Sequence, residues 1–187
     1  MKHLGTKELK TERLSLRRFE LSDAETMFRN WASDPEVTKF LSWPTHTDVT
    51  VSERVLAEWL PNYERDDYYH WAIVPESAGE AVGSIGPVLQ RDDIKMVHIG
   101  YCIGSKWWCQ GITSEALAAL IKFFFEEVGM NRIESRHDPN NPNSGKVMMK
   151  CGMVCEGTMR QADINNQGIV DYSIYSILAE DYFEKII

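Results

Sequence analysis

Trp107-Trp108-Cys109-Gln110-Gly111-Ile112-Thr113-Ser114-Glu115 joins a strand-like segment to a strongly apolar helix pattern, with a glycine at the junction. Upstream, Val97-His98-Ile99-Gly100-Tyr101-Cys102-Ile103 reads as a strand. Downstream, Ile112, Ala116, Leu120 and Phe124 recur every four residues with Leu117, Ile121 and Phe125 beside them, the spacing of one helix face. Only Glu115, Ala118, Lys122 and Glu126 are left for a wet stripe, so the helix is expected to be largely buried. A helix start leaves its first N–H groups unpaired, and its macrodipole adds partial positive charge there. The junction therefore suits phosphate groups held by backbone, with Gly111 allowing close approach. A glycine kept only for packing is the other reading. Neither G-x-x-x-x-G-K-[ST] nor G-x-G-x-x-G occurs, so no nucleotide-hydrolysis loop or dinucleotide fingerprint is present.

Working outward, Leu14-Ser15-Leu16-Arg17-Arg18-Phe19 alternates as a strand, and Ser22-Asp23 before Ala24 signals a helix with Asp23 as cap. Pro35 and Pro44 punctuate a loop. A helix is expected from about Val49 to Tyr63, then strands at Tyr69–Pro75 and Ala81–Leu89 about a Gly79 turn. After the long helix, Gly129 reads as a stop, Arg132–His137 as a strand, and Asn143–Cys151 as a short helix closed by Gly152. Strands Met153–Ala162 and Ile169–Leu178 flank the turn Asn165-Asn166-Gln167-Gly168. The class is α+β (α/β): several antiparallel hairpins and one strand-helix-strand unit that sets the Val97 and Arg132 strands parallel.

At 187 residues one domain over 1–187 is expected. The first residues lack an apolar signal region, and no run reaches the roughly 18 apolar residues of a membrane span, so a cytoplasmic protein without membrane attachment is the simplest reading. Twenty Lys and Arg against 28 Asp and Glu give a net charge of −8. That balance disfavours direct nucleic-acid binding and leans toward a cationic substrate. Cys102, Cys109, Cys151 and Cys155 show no metal spacing, so no metal site is expected and buried thiols are, with Cys109 the one of interest.

Several motifs in order are similar to the GNAT (GCN-five-related) N-acetyltransferase superfamily, in the branch that acetylates ribosomal-protein N-termini and its small-molecule-directed relatives. They are Thr11-Glu12-Arg13-Leu14-Ser15-Leu16-Arg17, Ile99-Gly100-Tyr101, Trp107-Trp108-x-x-Gly111-x-x-x-Glu115-Ala116, Asn141-x-x-Ser144 with Lys150-Cys151-Gly152, and Glu156-Gly157-x-x-Arg160 with Gly168-x-x-Asp171. The resemblance implies a mostly antiparallel six- to seven-stranded sheet with helices on both faces and a cofactor-binding core over about 97–152. It implies that backbone from Trp108 through Cys109, Gln110, Gly111, Ile112 and Thr113 to Ser114 cradles the pyrophosphate of acetyl-CoA. The pantetheine arm would pair with the edge at Tyr101, Cys102 and Ile103 and meet Asn141. Thr113 stands where the family favours a smaller residue, and Met148 where many members carry a thiolate-protonating Tyr.

An amine must lose a proton before it attacks a thioester, so a base is wanted near the acceptor. The resemblance implies Asp163 as that base, one methylene shorter than the expected Glu, and Ser144 as acid. Asp163 also reads as a solvated turn residue, and Ser144 as a helix-start hydroxyl. His98 is the rival base, with a hydrogen-bonded sheet histidine as its plainer reading. Aromatic residues crowd the first third, where the family builds its acceptor side, and Asp66-Asp67 sits among them. The expected activity is direct acetyl transfer to a primary amine, either a protein N-terminus or a small molecule, by a monomer or homodimer. A non-catalytic acyl-CoA-binding module is the alternative.

Overall fold

The computed structural model describes residues 1–184; the last three residues of the 1–187 expectation lie outside them. Strands β1 (Leu9–Lys10), β2 (Leu14–Arg17), β3 (Trp71–Pro75), β4 (Gly83–Arg91), β5 (Met96–Ile103), β6 (Arg132–His137), β7 (Val154–Asn165) and β8 (Gly168–Leu178) form one sheet in the order β1-β2-β3-β4-β5-β6-β8-β7. That is one strand beyond the expected six to seven, because two-residue β1 is too short to show alternation. Neighbours are antiparallel except β5 and β6, which run parallel as the strand-helix-strand pattern required.

Helices α1 (Ala24–Met27), α2 (Pro35–Thr38) and α3 (Val49–Trp59) pack on one face; α4 (Ile112–Lys122) and α5 (Pro142–Lys150) pack on the other, and α6 (Ala179–Glu184) follows β8. Ile73, Ile85, Ile99, Ile133 and Ile177 meet Ala116, Leu117, Leu120 and Ile121 of α4 in one core. Phe19, Met27, Trp31, Leu56 and Tyr63 form the second. Helix α4 continues as a wider π turn over Phe123–Val128 and stops at Gly129, whose φ of 79° is the left-handed cap that glycine allows.

Local expectations are corrected in four places. Asp23 holds the N-cap position of α1 but its side chain makes no cap bond there: the carboxylate instead accepts the Glu20 N–H (2.8 Å) and the Arg17 guanidinium (2.7 and 2.8 Å), closing the preceding turn Leu21–Asp23 that Glu20 caps. Pro35 opens α2 rather than a loop, at the first helical position, where its missing N–H costs nothing, behind an Asp34 cap. Helix α3 ends at Trp59, and the turn Leu60–Glu64 completes the expected span. Glu115 leaves the wet stripe, because Thr11 and Arg13 of the N-terminal segment engage its carboxylate.

The feature that positions the site is a divergence in mid-sheet. Strands β5 and β6 pair only through Met96↔Arg132, Val97↔Ile133 and His98↔Glu134. Beyond that point β5 stays with β4 as far as Ile103↔Gly83, and β6 stays with β8 as far as His137↔Ser173. At the fork, Ser135 Oγ donates to Ile99 O (2.7 Å), a side chain taking the place of the next ladder bond.

Candidate active site

The loop before α4 is built for close backbone approach. Cys109 (φ 60°) and Gly111 (φ 79°) both adopt left-handed backbone, and Gly111 caps the helix. The first rung of α4 is Glu115 N–H to Gly111 O at 3.0 Å, so the N–H groups of Ile112, Thr113 and Ser114 lie ahead of it and face outward along the dipole. Gln110 is tied back by its Nε2 to Lys106 O (2.9 Å). Trp108, exposed on the surface, donates Nε1 to Ile103 O (3.0 Å) and braces the end of β5. Arg13 donates to Gln110 O (3.2 Å) and pairs with Glu115 (2.6 Å), so the N-terminal segment locks the loop from outside. Sequence reasoning gave Arg13 no role, although Thr11-Glu12-Arg13 stood among the motifs.

Past the fork, Tyr101, Cys102 and Ile103 have no strand partner on the β6 side, leaving that backbone edge open to a ligand. Asn141 precedes α5 and its side chain makes no cap bond, so its amide is free to meet such a ligand. Open helix N–H groups, an open strand edge and a free amide thus line one route from the α4 start to the fork. These are donor and acceptor sets that fit a pyrophosphate followed by an amide-bearing arm.

Strand alternation separates the chemistry at the fork into two faces. Toward α4 and α5 lie Tyr101 and Ser135, with the Tyr101 Oη 3.0 Å from both Ser144 O and Ser144 Oγ. Met148, where a Tyr was sought, is fully buried in the same core. On the opposite face, buried His98 directs Nδ1 to Glu134 (3.2 Å), and Arg132 holds the other Glu134 oxygen (3.0 Å). Burial holds the His98 imidazole below its ordinary pKa, with the Glu134 carboxylate opposing the shift. Asp163 is near this group, but both its oxygens engage Arg136 (3.0 and 3.2 Å), and Oδ1 also accepts the Ile164 N–H (2.9 Å). The structure therefore brings His98 and Asp163 to one side and Ser144 to the other.

A chain of contacts rings the open end of the fork. Ser105, just after β5, donates to Asp34 Oδ2 (2.6 Å) at the start of α2. Asn166, at the β7–β8 turn, donates Nδ2 to Thr38 O and Trp43 O (2.8 Å each) and its N–H to Leu41 O (3.0 Å). Asn165 closes the ring on Asp138 Oδ2 (2.9 Å), just after β6. Phe40 and Trp43 are half-buried along it, whereas Trp31, Tyr63, Tyr69 and Trp71 are core. Asp66-Asp67 is not on this rim: Asp66 O accepts Gly5 N–H (2.7 Å) and Asp67 pairs with Arg65 (2.9 Å). Glu156 and Asp171 serve the hairpin, Glu156 by accepting from Ser176 Oγ of β8 (2.6 Å) while also pairing with Arg132 of β6 (2.6 Å), and Asp171 through the Gln161 N–H (2.8 Å).

The cysteines depart from the buried expectation. Cys109 and Cys155 are exposed, Cys155 because β7 is an edge strand; Cys102 and Cys151 are half-buried. Burial raises both of the latter thiols, Cys151 to about 11, which keeps them protonated. Among the described residues no cluster of His, Cys, Asp or Glu is arranged to hold a metal, and no helix is long and apolar enough to cross a membrane.

Comparison with known proteins adds four likenesses. Residues 13–154 match the family model described as an acetyltransferase (GNAT) domain. The uncharacterised N-acetyltransferase p20 of Bacillus licheniformis is 30% identical over 93% of this chain and 97% of its own length. A GNAT-family acetyltransferase from Bacillus anthracis superposes with a TM-score of 0.81 at 26% identity, over 93% of this chain and 99% of that one. The ribosomal L7/L12 α-N-protein acetyltransferase RimL, solved with coenzyme A, shares the fold at a TM-score of 0.83 and 20% identity, over 94% and 99% of the two chains.

Proposed function

Because the chain belongs to the GNAT acetyltransferase family and is an acetyl-CoA-dependent N-acetyltransferase, we propose that it acetylates a slim primary amine, a small molecule or an extended N-terminus, by direct attack at the β5–β6 fork. The contact ring carries this reading. An acceptor reaches the fork through a closed perimeter from Ser105 to Asp138 rather than across an open groove. RimL, which shares the fold, acts on the N-terminus of a ribosomal protein, and an extended N-terminus meets the same steric requirement. The reading takes 1–187 as one unit, with the cofactor core at about 97–152, acting in the cytoplasm as a monomer or homodimer.

In this mechanism the outward N–H groups from Cys109 to Ser114 hold the pyrophosphate, whereas Trp108, whose own N–H is donated to Ser105 O (3.2 Å), braces the loop rather than meeting the cofactor. The edge at Tyr101–Ile103 and Asn141 hold the pantetheine arm. A β5 N–H next to the thioester carbonyl stabilises the oxyanion. His98 takes the amine proton. Glu134 fixes the proton on Nδ1 and leaves the Nε2 lone pair toward the acceptor face, and a depressed pKa keeps the ring neutral near pH 7. Asp163, with both oxygens on Arg136, supports the hairpin beside the acceptor and orders water there. Ser144 donates to the departing sulfur. The fully buried Met148 has no part in proton transfer, which leaves the leaving-group side to hydroxyls.

The test combines thermal unfolding with thiol release against N-terminal peptides and small amines. Acetyl-CoA at about a hundred times its Kd should add about 2.7 kcal/mol of stability. Release should follow a pH profile that rises through the depressed His98 pKa. The H98Q variant should lose about 10²–10⁴-fold in kcat, with a much smaller loss in D163N. Collapse in D163N with H98Q at the wild-type rate transfers the base to Asp163, and binding without turnover of any amine removes the acceptor reading.

A further inference from the structure

Three hydroxyl groups from three different elements face each other on the cofactor side of the fork. Tyr101 comes from β5, Ser135 from β6 and Ser144 from the first turn of α5. The Tyr101 Oη stands 3.0 Å from Ser144 Oγ and 3.0 Å from Ser144 O, while Ser135 Oγ is committed to Ile99 O at 2.7 Å. Ser144 and Met148 are one turn apart on the same face of α5. The phenol that α5 lacks at 148 is thus supplied to that helix face from the facing strand.

We propose that Tyr101 is the positioning residue of the leaving-group step, holding the Ser144 hydroxyl so that its proton points at the departing sulfur. This rests on the reading of Ser144 given above. The phenol has one proton and Ser144 Oγ has one. When the phenol donates to Ser144 Oγ, the serine proton is the one left to face the thioester. When the phenol donates instead to Ser144 O, the serine donates to the phenol oxygen; both states hold Oγ in one narrow range of rotamers, and the switch of the phenol proton from O to Oγ is what frees the serine proton for the sulfur. In the reaction the amine nitrogen forms the N–C bond and the C–S bond breaks with its electron pair on sulfur. The acceptor enters as the neutral amine, its ammonium proton already lost to water, and the base removes the second proton from the adduct's ammonium. Ser144 stabilises the thiolate by its hydrogen bond, and the thiolate takes its own proton from water on release.

Tyr101 does not itself surrender a proton. Burial pushes its phenol above the ordinary value, and a phenol near 10 is already a weaker acid than a thiol of about 8.5. Tyrosine therefore stays neutral throughout, which suits a group that holds another in place.

The experiment is a double-mutant cycle on the full chain: Y101F, S144A and the double variant, with kcat and KM for acetyl-CoA at saturating amine and thermal unfolding with and without acetyl-CoA. Y101F keeps the ring, and an acetyl-CoA shift equal to that of wild type shows an intact fold. The expected result is a loss in kcat of about tenfold for Y101F and about 10²-fold for S144A. KM for acetyl-CoA should be unchanged, and the double variant no slower than S144A alone. Wild-type kcat in Y101F with a slow S144A overturns the role of Tyr101 and leaves Ser144 standing. Losses that multiply in the double variant overturn it by showing independent action, and a raised KM at constant kcat overturns it by showing a structural role. Wild-type rates in both single variants remove the Ser144 reading itself.

Discussion

Substituting Glu115 by Ala removes a side chain that holds the N-terminal segment against the start of α4, and the size of the effect follows from its contacts. The carboxylate accepts from Thr11 Oγ1 (2.5 Å), Arg13 N (3.0 Å), Arg13 Nε (2.7 Å) and Arg13 Nη2 (2.6 Å). The two uncharged donors contribute about 1 kcal/mol each. The Arg13 side chain is 51% exposed, against 19% for Glu115, so solvent reduces the ion pair to about 0.5–1 kcal/mol. The sum is about 2.5–3 kcal/mol, and at about 2–4 °C per kcal/mol for a domain of this size the Tm should fall by about 5–12 °C. Burial tends to raise the Glu115 pKa, but hydrogen bonds from Thr11 and Arg13 outweigh it and hold the carboxyl below its ordinary value. The stabilisation is therefore complete above the unfolded value of about 4.3 and lost as pH falls through the lower folded value. Thermal unfolding of wild type and E115A, near neutral pH and again in acid, measures both parts. A Tm within about 1 °C of wild type at neutral pH would refute the clamp, and a gap that widens in acid would refute the assignment to the ionised carboxylate.

Three further outcomes follow from other parts of the site. Gly111→Ala places a Cβ at φ 79°, so urea unfolding should show a loss of about 1–2 kcal/mol, with weaker acetyl-CoA binding by calorimetry; an unchanged Kd would mean that the loop does not meet the cofactor. Arg132 and Ser176 hold the Glu156 carboxyl down at about 2, against burial. Wild type should therefore lose more stability than E156Q as pH falls from about 4.3 toward 2, and parallel acid-unfolding curves would count against that pairing. Asn166→Ala cuts the contacts to Thr38 and Trp43 and should raise the rate for bulky amines relative to slim ones; an unaltered selectivity across an amine panel would argue against the ring as a filter.

The elements read most directly from the sequence were those with strong periodicity and glycine punctuation. Helix α4 with its stop at Gly129, strand β6 and the Asn165–Gly168 turn all fall where alternation, i+4 spacing and turn residues put them. What stayed hidden depends on contacts between distant segments. Glu115 looks like a solvent-facing helix residue until Thr11 and Arg13, over a hundred residues earlier in the chain, close on it. Asp23 looks like a cap until Arg17 and the Glu20 N–H compete for its carboxylate. Asp163 was legible as an acid on the closing hairpin, but its capture by Arg136 is a cross-strand fact. The Tyr101–Ser144 contact joins two motifs 43 residues apart, and nothing in a linear spacing says that a strand phenol reaches the first turn of a later helix.

The two cores on either side of the sheet have a consequence for how such a protein diversifies. Apart from Cys102, whose side chain turns to the other core, the strand residues proposed to meet the donor pack with α4 and α5, and those proposed to meet the acceptor lie on the side of α1, α2 and α3. Packing within each core is strongly coupled, whereas side chains separated by the thickness of a sheet with no shared partners respond almost independently to substitution. The α1–α3 layer can therefore accumulate changes that retune which amine is admitted while the layer beneath keeps its grip on one invariant donor. A lineage built on this plan gains new acceptors by rewriting one side of a sheet.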